Sequence, residues 1–506
     1  MTLTKIRPVI YISKVNKNIA RNATVNSASV NTEEVHSLKP FSEIPGPKSF
    51  PIIGPLHNFL PGGLLHKNFG MELFDTMYKT YGPIVRLEGT FGRPSAVFLY
   101  DAESVSQILR GENSLPERPG FESLTYFRKV YKKEKLGKKQ RLTGLVSDIG
   151  ENWKEFRTSV NPIMLQPKTV KLYENSINEV ASDMIERLRS IRDENNMITQ
   201  KFDDEMNLWS LESIAVVALG GRLNCLDPNL PEDSLEKKLI RCVHDIFDTA
   251  NELDFKLSLW KYYSTKTFKK AMKIYDEQET ICKQFIKRAN ENFQTNDGEK
   301  PILQKLMEID EEIAVIMASD MLFAGVDTTS NTMTATLFLL AKNPEVQEKL
   351  RKEVLAGKER KYLKACFKES LRILPVVAGN MRKVTKEYHI LGYRIPEGAR
   401  VAFGHQYMAN MEQYFPRPKE FIPERWLVEK DHPLYYRKAH PFAYNPFGFG
   451  VRSCIGRRIA ELELESFLTK LMENFRVEWI GPDLKVTPSA LNYIHGPFGF
   501  KFTDLK

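Results

Sequence analysis

The chain has few of the residues that staple or metal-tie a fold. Its 506 residues include five cysteines, Cys225, Cys242, Cys282, Cys366 and Cys454, an odd number with no Cys-x-x-Cys pair. That excludes a disulfide scaffold and a zinc ribbon, and makes a reducing compartment the default. The first 32 residues contain no Asp or Glu. They also lack an apolar run of spanning length, which excludes a signal anchor, and an apolar h-region, which argues against a secretory peptide. No internal repeat is present. Charge of one sign is not abundant either: the net charge is +9, and residues 1–40 alone hold six bases against two acids. The remainder is too mildly basic for the footprint of a nucleic-acid binder. With 42% hydrophobic, 27% charged and 11% aromatic residues, the chain is no collagen, coiled coil or disordered polymer.

What residues 1–39 do contain is Lys and Arg interleaved with Ile6, Val9, Ile10 and Ile12, and many hydroxyls. That is the composition of a mitochondrial transit peptide, a cationic amphipathic leader; the bland alternative is a basic tail. Residues 40–58 are dense in Pro and Gly, with Pro45, Gly46, Pro47, Pro51, Gly54 and Pro55. Such a stretch cannot be helical and reads as a stiff hinge ahead of the body, 59–506.

Within the body, 84–87 and 96–99 read as two short strands of a hairpin. Helical periodicity then dominates, over 101–110, 151–160, 170–194, 205–220, 233–252, 266–293, 312–341, 344–356, 361–373 and 458–475. Extended segments return around 383–403 and after 476. The expected fold is mainly α, one large helical domain with a minor β region. Segment 312–341 would be about 45 Å long as a helix. Its apolar character invites a transmembrane reading, but Asp320, Asp327 and Asn331 sit mid-span, where lipid would penalise them. A buried central helix is expected instead.

The most informative stretch is Phe447-Gly-Phe-Gly-Val-Arg452-Ser-Cys454-Ile-Gly456. A helix with one apolar stripe follows, so Cys454 stands at a helix mouth, where the dipole and free N–H groups favour a thiolate. Phe447 can shield the sulfur, and Arg452 can pair with an anionic group. The string resembles the haem-binding signature of the cytochrome P450 superfamily. That resemblance implies haem b with Cys454 as axial thiolate ligand.

Other motifs of that family follow in order. Glu369-Ser-Leu-Arg372 resembles its ExxR motif, and Pro423-Glu-Arg425-Trp426 its downstream partner, with Trp426 where Phe is usual. The resemblance implies a structural Glu369–Arg372–Arg425 network. Glu348–Arg351 and Glu186–Arg189 share the spacing but read as surface pairs. Trp153 and Arg157, four apart on one helix face, resemble the family's WxxxR motif; with Arg382 and Arg452 they are expected to anchor the haem propionates. In the long helix, Ala324-Gly325-Val-Asp327-Thr328 resembles the oxygen-activating motif. There Gly325 and the hydroxyls can loosen the helix, Thr328 can hold a water, and Asp327 can relay protons.

The sequence around Cys454 and Lys364-Ala-Cys-Phe-Lys368 is similar to the animal mitochondrial branch, and insect members are nearest in layout. That likeness implies a basic patch of Lys364, Lys368, Arg457 and Arg458 steering a [2Fe-2S] ferredoxin, itself reduced by an NADPH-dependent reductase. It also implies residence on the matrix face of the inner membrane. Leu257, Leu259, Trp260, Tyr262 and Tyr263 would give a peripheral membrane contact, or else belong to the core. One departure is plain. Only Ala356–Arg360 separate two helices that relatives usually join through a longer helical segment. The expected activity is monooxygenation of a lipophilic substrate, steroid or xenobiotic, with O2. Loop 115–148 and region 220–260, with Phe121, Tyr126, Phe127, Phe247 and Leu253, would line its access path. A haem sensor or lipophile-binding protein without turnover is the rival reading.

Overall fold

The computed structural model describes residues 38–91, 93–137, 141–199, 201–291, 300–357 and 359–505. The expected leader, up to residue 37, lies outside the described residues. Helices dominate. Before the central helix come α1 (Gly70–Tyr81), α2 (Ala102–Arg110), α3 (Glu122–Tyr126), α4 (Lys132–Leu136), α5 (Gly150–Met164), α6 (Pro167–Lys171), α7 (Glu174–Ile191), α8 (Phe202–Leu219), α9 (Leu235–Ala250), α10 (Lys266–Glu291) and α11 (Ile302–Met307). Then follow α12 (Glu311–Lys342), α13 (Pro344–Leu355), α14 (Lys361–Ile373), α15 (His405–Ala409) and α16 (Arg457–Asn474).

The long helix α12 starts where Asp310 caps it, accepting from the backbone N–H of Glu312 and Ile313. It runs through the core against α8, and most of its residues are buried. Several of its hydroxyls donate within the helix: Thr328 Oγ1 to the Ala324 carbonyl at 2.7 Å, and Thr332 and Thr336 each four residues back. The helix is continuous through Gly325. The glycine permits close approach, since a Cβ there would lie 2.7 Å from Ile214 of α8.

The β content is small. Strands β1 (Ile84–Leu87) and β2 (Ala96–Leu99) form the expected antiparallel hairpin, with Ile84 opposite Leu99. Later in the chain, β4 (Asn380–Lys383) and β7 (Arg400–Phe403) extend this to a four-stranded sheet, order β1-β2-β7-β4, in which β2 and β7 run parallel. Strand β3 (Met197–Ile198) joins β8 (Phe475–Trp479) and β11 (Phe500–Asp504), while β5 (Tyr388–Ile390) pairs β6 (Tyr393–Ile395), and β9 (Lys485–Pro488) pairs β10 (Asn492–His495).

Four local expectations change. The stretch 40–58 lies against the body: Ile44 is buried, and the Pro45 carbonyl accepts from Arg86 N–H at 2.8 Å. Segment 122–136, read as loop, is α3, a π turn and α4 in succession. Segment 170–194 breaks into α6 and α7. Arg351 is no surface residue: it is buried and donates to the Met472 and Phe475 carbonyls, tying α13 to α16. The short connection after α13 closes on itself, with the Glu353 carboxylate accepting from the backbone N–H of Tyr362 and Leu363 at the start of α14.

Candidate active site

Where α12 passes the Cys454 loop, the chain encloses a cavity of about 220 Å³. Cys454, Thr328, Trp153, Arg157 and Arg452 all line it, and apolar side chains such as Ile214, Met317 and Met321 supply much of the rest. The Cys454 loop is drawn tight by Cys454 N–H donating to the Phe447 carbonyl at 2.8 Å. Gly448 and Gly450 take left-handed backbone angles there, φ 72° and 69°, which a side chain would strain. Helix α16 begins just beyond, at Arg457. Burial pushes the Cys454 thiol up; the Gly456 N–H, Arg157, Arg118 and Arg457 pull it back down. The helix mouth therefore favours the thiolate without securing it. A metal bound to the sulfur would complete the deprotonation.

Three guanidinium groups, on Arg118, Arg157 and Arg452, line the cavity, and a fourth, on Arg382, bears on Arg118 and Arg452 from beside it. Arg157 donates to the Ser453 carbonyl at 3.0 Å, while its Nε is buried without a partner. Arg452 stacks 3.8 Å over the Trp153 ring and donates to three carbonyls, of Pro116, Leu145 and Asp148. Burial first, then Arg118, Arg382 and Arg157, lower its pKa to about 9. Arg382, on β4, is buried and bonded to Glu112 at 2.5 Å; it does not line the cavity. Burial beside Arg382 also holds His405 at about 4, so it stays neutral. Glu112 is the one carboxylate the group meets among the described residues.

Behind the loop, Glu369, Arg372 and Arg425 are fully buried together. Glu369 receives Arg372 at 2.8 and 3.0 Å and Arg425 at 2.9 Å. Trp426 has a use here: its Nε1–H donates to Glu369 Oε2 at 2.9 Å, a bond no Phe could make.

Asp327 and Thr328 are adjacent in sequence but face different ways. Thr328 lines the cavity; Asp327 does not, and accepts from the Tyr493 hydroxyl at 2.5 Å on the far side of α12. Burial raises its pKa to about 6 against the opposing pull of Tyr493 and His244.

Lys364, Lys368, Arg457 and Arg458 are all exposed, and the first three border one concavity beside Phe447. The patch is partly neutralised, because Lys364 lies 3.5 Å from Glu465 and Arg457 lies 2.8 Å from Glu461. Phe447 is half-buried under the Arg457 guanidinium, 5.1 Å from its ring centroid.

The expected access residues do not line the cavity. Phe121 packs edge-on to Phe247, Phe255 and Phe323, Phe127 lies against Tyr275, and Leu253 is fully buried. Two charged lining residues, Arg118 and Glu463, have no counterpart in the sequence reading. Arg118 lies in a loop with no periodic signal. Glu463, four residues after buried Ile459 on α16, is itself buried, with its pKa raised to about 8 by burial and opposed by Thr329. A carboxylate at that helical spacing from the core face was the available clue.

The family profile described as Cytochrome P450 matches residues 44–491. The chain is 39% identical, over 96% of its own length and 94% of the relative's, to Cytochrome P450 CYP12A2 of Musca domestica. It is 36% identical to Probable cytochrome P450 12a5, mitochondrial, of Drosophila melanogaster, over 94% of this chain and 93% of that protein. Among solved structures, retinoic acid bound cyanobacterial CYP120A1 matches with a TM-score of 0.71 at 19% identity, across 91% of this chain and 99% of that one, a likeness of fold. The chain belongs to the cytochrome P450 family. It is a monooxygenase whose cofactor is haem held through a cysteine thiolate.

The cavity fits that group. Arg118, Arg157 and Arg452 line it; of the lining carboxyls, Asp320 is paired with Arg128 and burial pushes Glu463 up to about 8, so the guanidiniums call for an anionic partner. A porphyrin's two propionates supply one, and the apolar walls suit its ring.

Proposed function

We propose that the chain is a mitochondrial haem-thiolate monooxygenase that hydroxylates a lipophilic substrate, a steroid or xenobiotic, with O2 and electrons from a [2Fe-2S] ferredoxin. The observation that carries this is one cavity in which Cys454 and Thr328 both stand among apolar walls. Haem, when bound, supplies the activation of O2. Cys454 would hold it as the thiolate ligand, and Arg118, Trp153, Arg157 and Arg452 would hold the propionates. Arg382 acts at one remove, through its bond to Glu112 and its charge on the other guanidiniums.

Thr328 spends its proton on the Ala324 carbonyl. Its oxygen lone pairs are left to accept from a water in the cavity, which fixes that water where a proton is needed. Asp327 stores the proton behind the helix. The Glu369–Arg372–Arg425 network is structural. It makes the Cys454 loop rigid from behind, and Trp426 adds to it.

The mitochondrial part rests on the composition of residues 1–32 and on relatives whose names carry that address. A peripheral contact with the matrix face of the inner membrane suits the exposed Leu257, Tyr262 and Tyr263; Trp260 is buried and belongs to the core. Replacing Cys454 with Ser is expected to abolish the red-shifted Soret band of the reduced carbon monoxide complex. A variant that keeps the band overturns the ligand assignment. Difference spectra over a panel of steroids and xenobiotics then separate the two substrate classes.

A further inference from the structure

The Asp327 carboxyl is sealed from solvent, yet the imidazole that stands beside it is not. His244, on α9, places Nδ1 3.9 Å from Asp327 Oδ2. Its other nitrogen, Nε2, lies 3.7 Å from Asp248 Oδ2 one turn further along α9. Side-chain exposure decides the direction: 1% for Asp327, 41% for His244 and 55% for Asp248. Tyr493, on β10, completes the group. Its hydroxyl donates to Asp327 Oδ2, and its ring meets the His244 ring edge-on, 4.9 Å between centroids. Asp327 Oδ1 is buried without a hydrogen-bond partner.

A second cavity, of about 290 Å³, opens on this side of α12, and His244 and Tyr493 line it. The other charged or titratable groups facing it are Asp203 and Asp204 from α8, Arg241 and Asp245 from α9, and His495 from β10. Lys270 pairs with Asp245 at 2.9 Å and Lys201 bears on Asp204, so with Asp248 four carboxylates face three cations, Arg241 included, and the field is mildly negative, which favours protons.

We propose that His244 is the proton entry to Asp327 and that Tyr493 is the positioning residue that holds the carboxylate against it. The step is a simple transfer. The His244 imidazolium gives its Nδ1 proton to the Asp327 carboxylate, leaving a neutral imidazole and a neutral carboxylic acid. The Nε2 proton stays on the ring, held toward Asp248, and the bared Nδ1 takes its replacement from bulk water when the exposed ring turns outward. A tilt of the exposed ring closes the 3.9 Å gap to hydrogen-bond distance. Tyr493 cannot be the donor in this step, because burial and Asp327 together push its hydroxyl pKa far up. This inference rests on reading Asp327 and Thr328 as the proton-handling pair.

Two readouts test it. The first needs no turnover: the His244 ring is titrated by NMR in the diamagnetic reduced carbon monoxide form of the holoenzyme. Asp327→Asn is expected to lower the His244 midpoint by about half a unit or more. An unchanged midpoint overturns the coupling. The second is the share of ferredoxin electrons released as hydrogen peroxide instead of product. His244→Gln is expected to raise that share several-fold, and His244→Glu, which still carries a proton, to restore it. Tyr493→Phe is expected to raise it less. If Asp327→Asn raises the peroxide share and His244→Gln does not, the entry fails while the pair reading stands. If Asp327→Asn changes nothing, the pair reading fails first. A rise confined to Glu463→Gln overturns the entry by placing it on the other side of α12.

Discussion

Glu369 and Glu463 are both withdrawn from water, yet only Glu369 has a full set of donors. Two guanidiniums and an indole N–H surround it. Glu463 has one Thr hydroxyl at 3.4 Å and an unpartnered Oε1. Its pKa of about 8 follows from that burial. Raised above the ordinary carboxylate value, it makes the folded state bind a proton the unfolded state has lost, so stability falls as pH rises from about 4.5 to 8. Glu463→Gln is therefore expected to flatten the pH dependence and to stabilise the fold by roughly 2 kcal/mol or more at pH 8. Urea unfolding at pH 5 and pH 8 measures it, and equal gains at both would count against the argument. At this scale the motif residues were legible, because each motif is a short string whose spacing encodes its own geometry. Arg118, Glu463, His244 and Tyr493 were not. Tyr493 meets Asp327 across 166 positions, and only the fold brings them together.

Elements with long apolar stripes announced themselves: the hairpin, α2, α12 and α14 fall where periodicity places them, within a residue or so. The misses have physical causes. Helix α1 has one fully buried residue, Met77, so its stripe is faint. Segment 122–136 changes from α to π to α within fifteen positions, and no single period describes it. The connection from α13 to α14 looked too short, and its closure depends on one side chain. The Glu353 carboxylate takes two backbone N–H groups of the first turn of α14, the end that bears a partial positive charge. Glu353→Ala is expected to cost about 1–2 kcal/mol. It should also loosen amide protection at 361–363 in hydrogen exchange, while protection in α12 stays as it was.

Across the whole molecule, one face carries Cys454's loop and the exposed bases, and the opposite side of α12 carries the His244 cavity. Electrons and protons would thus arrive from different directions. On the basic face the four candidates are unequal. Lys364 and Arg457 share their charge with Glu465 and Glu461, whereas Lys368 lies over the Trp426 ring and has no carboxylate partner among the described residues. Lys368→Ala is expected to raise the ferredoxin KM about 2–5-fold at low salt, more than Lys364→Ala, with both effects fading as ionic strength rises. A KM indifferent to salt would remove the patch from the docking surface. At the front of the chain, Lys39 is stitched into β6, its N–H on the Gly392 carbonyl and its own carbonyl on Arg394 N–H. A peptidase working inward from the first residue meets backbone already knotted into the sheet at that point. Were the leader removed, the fold, and not only a recognition site, would act as the ruler for where trimming stops.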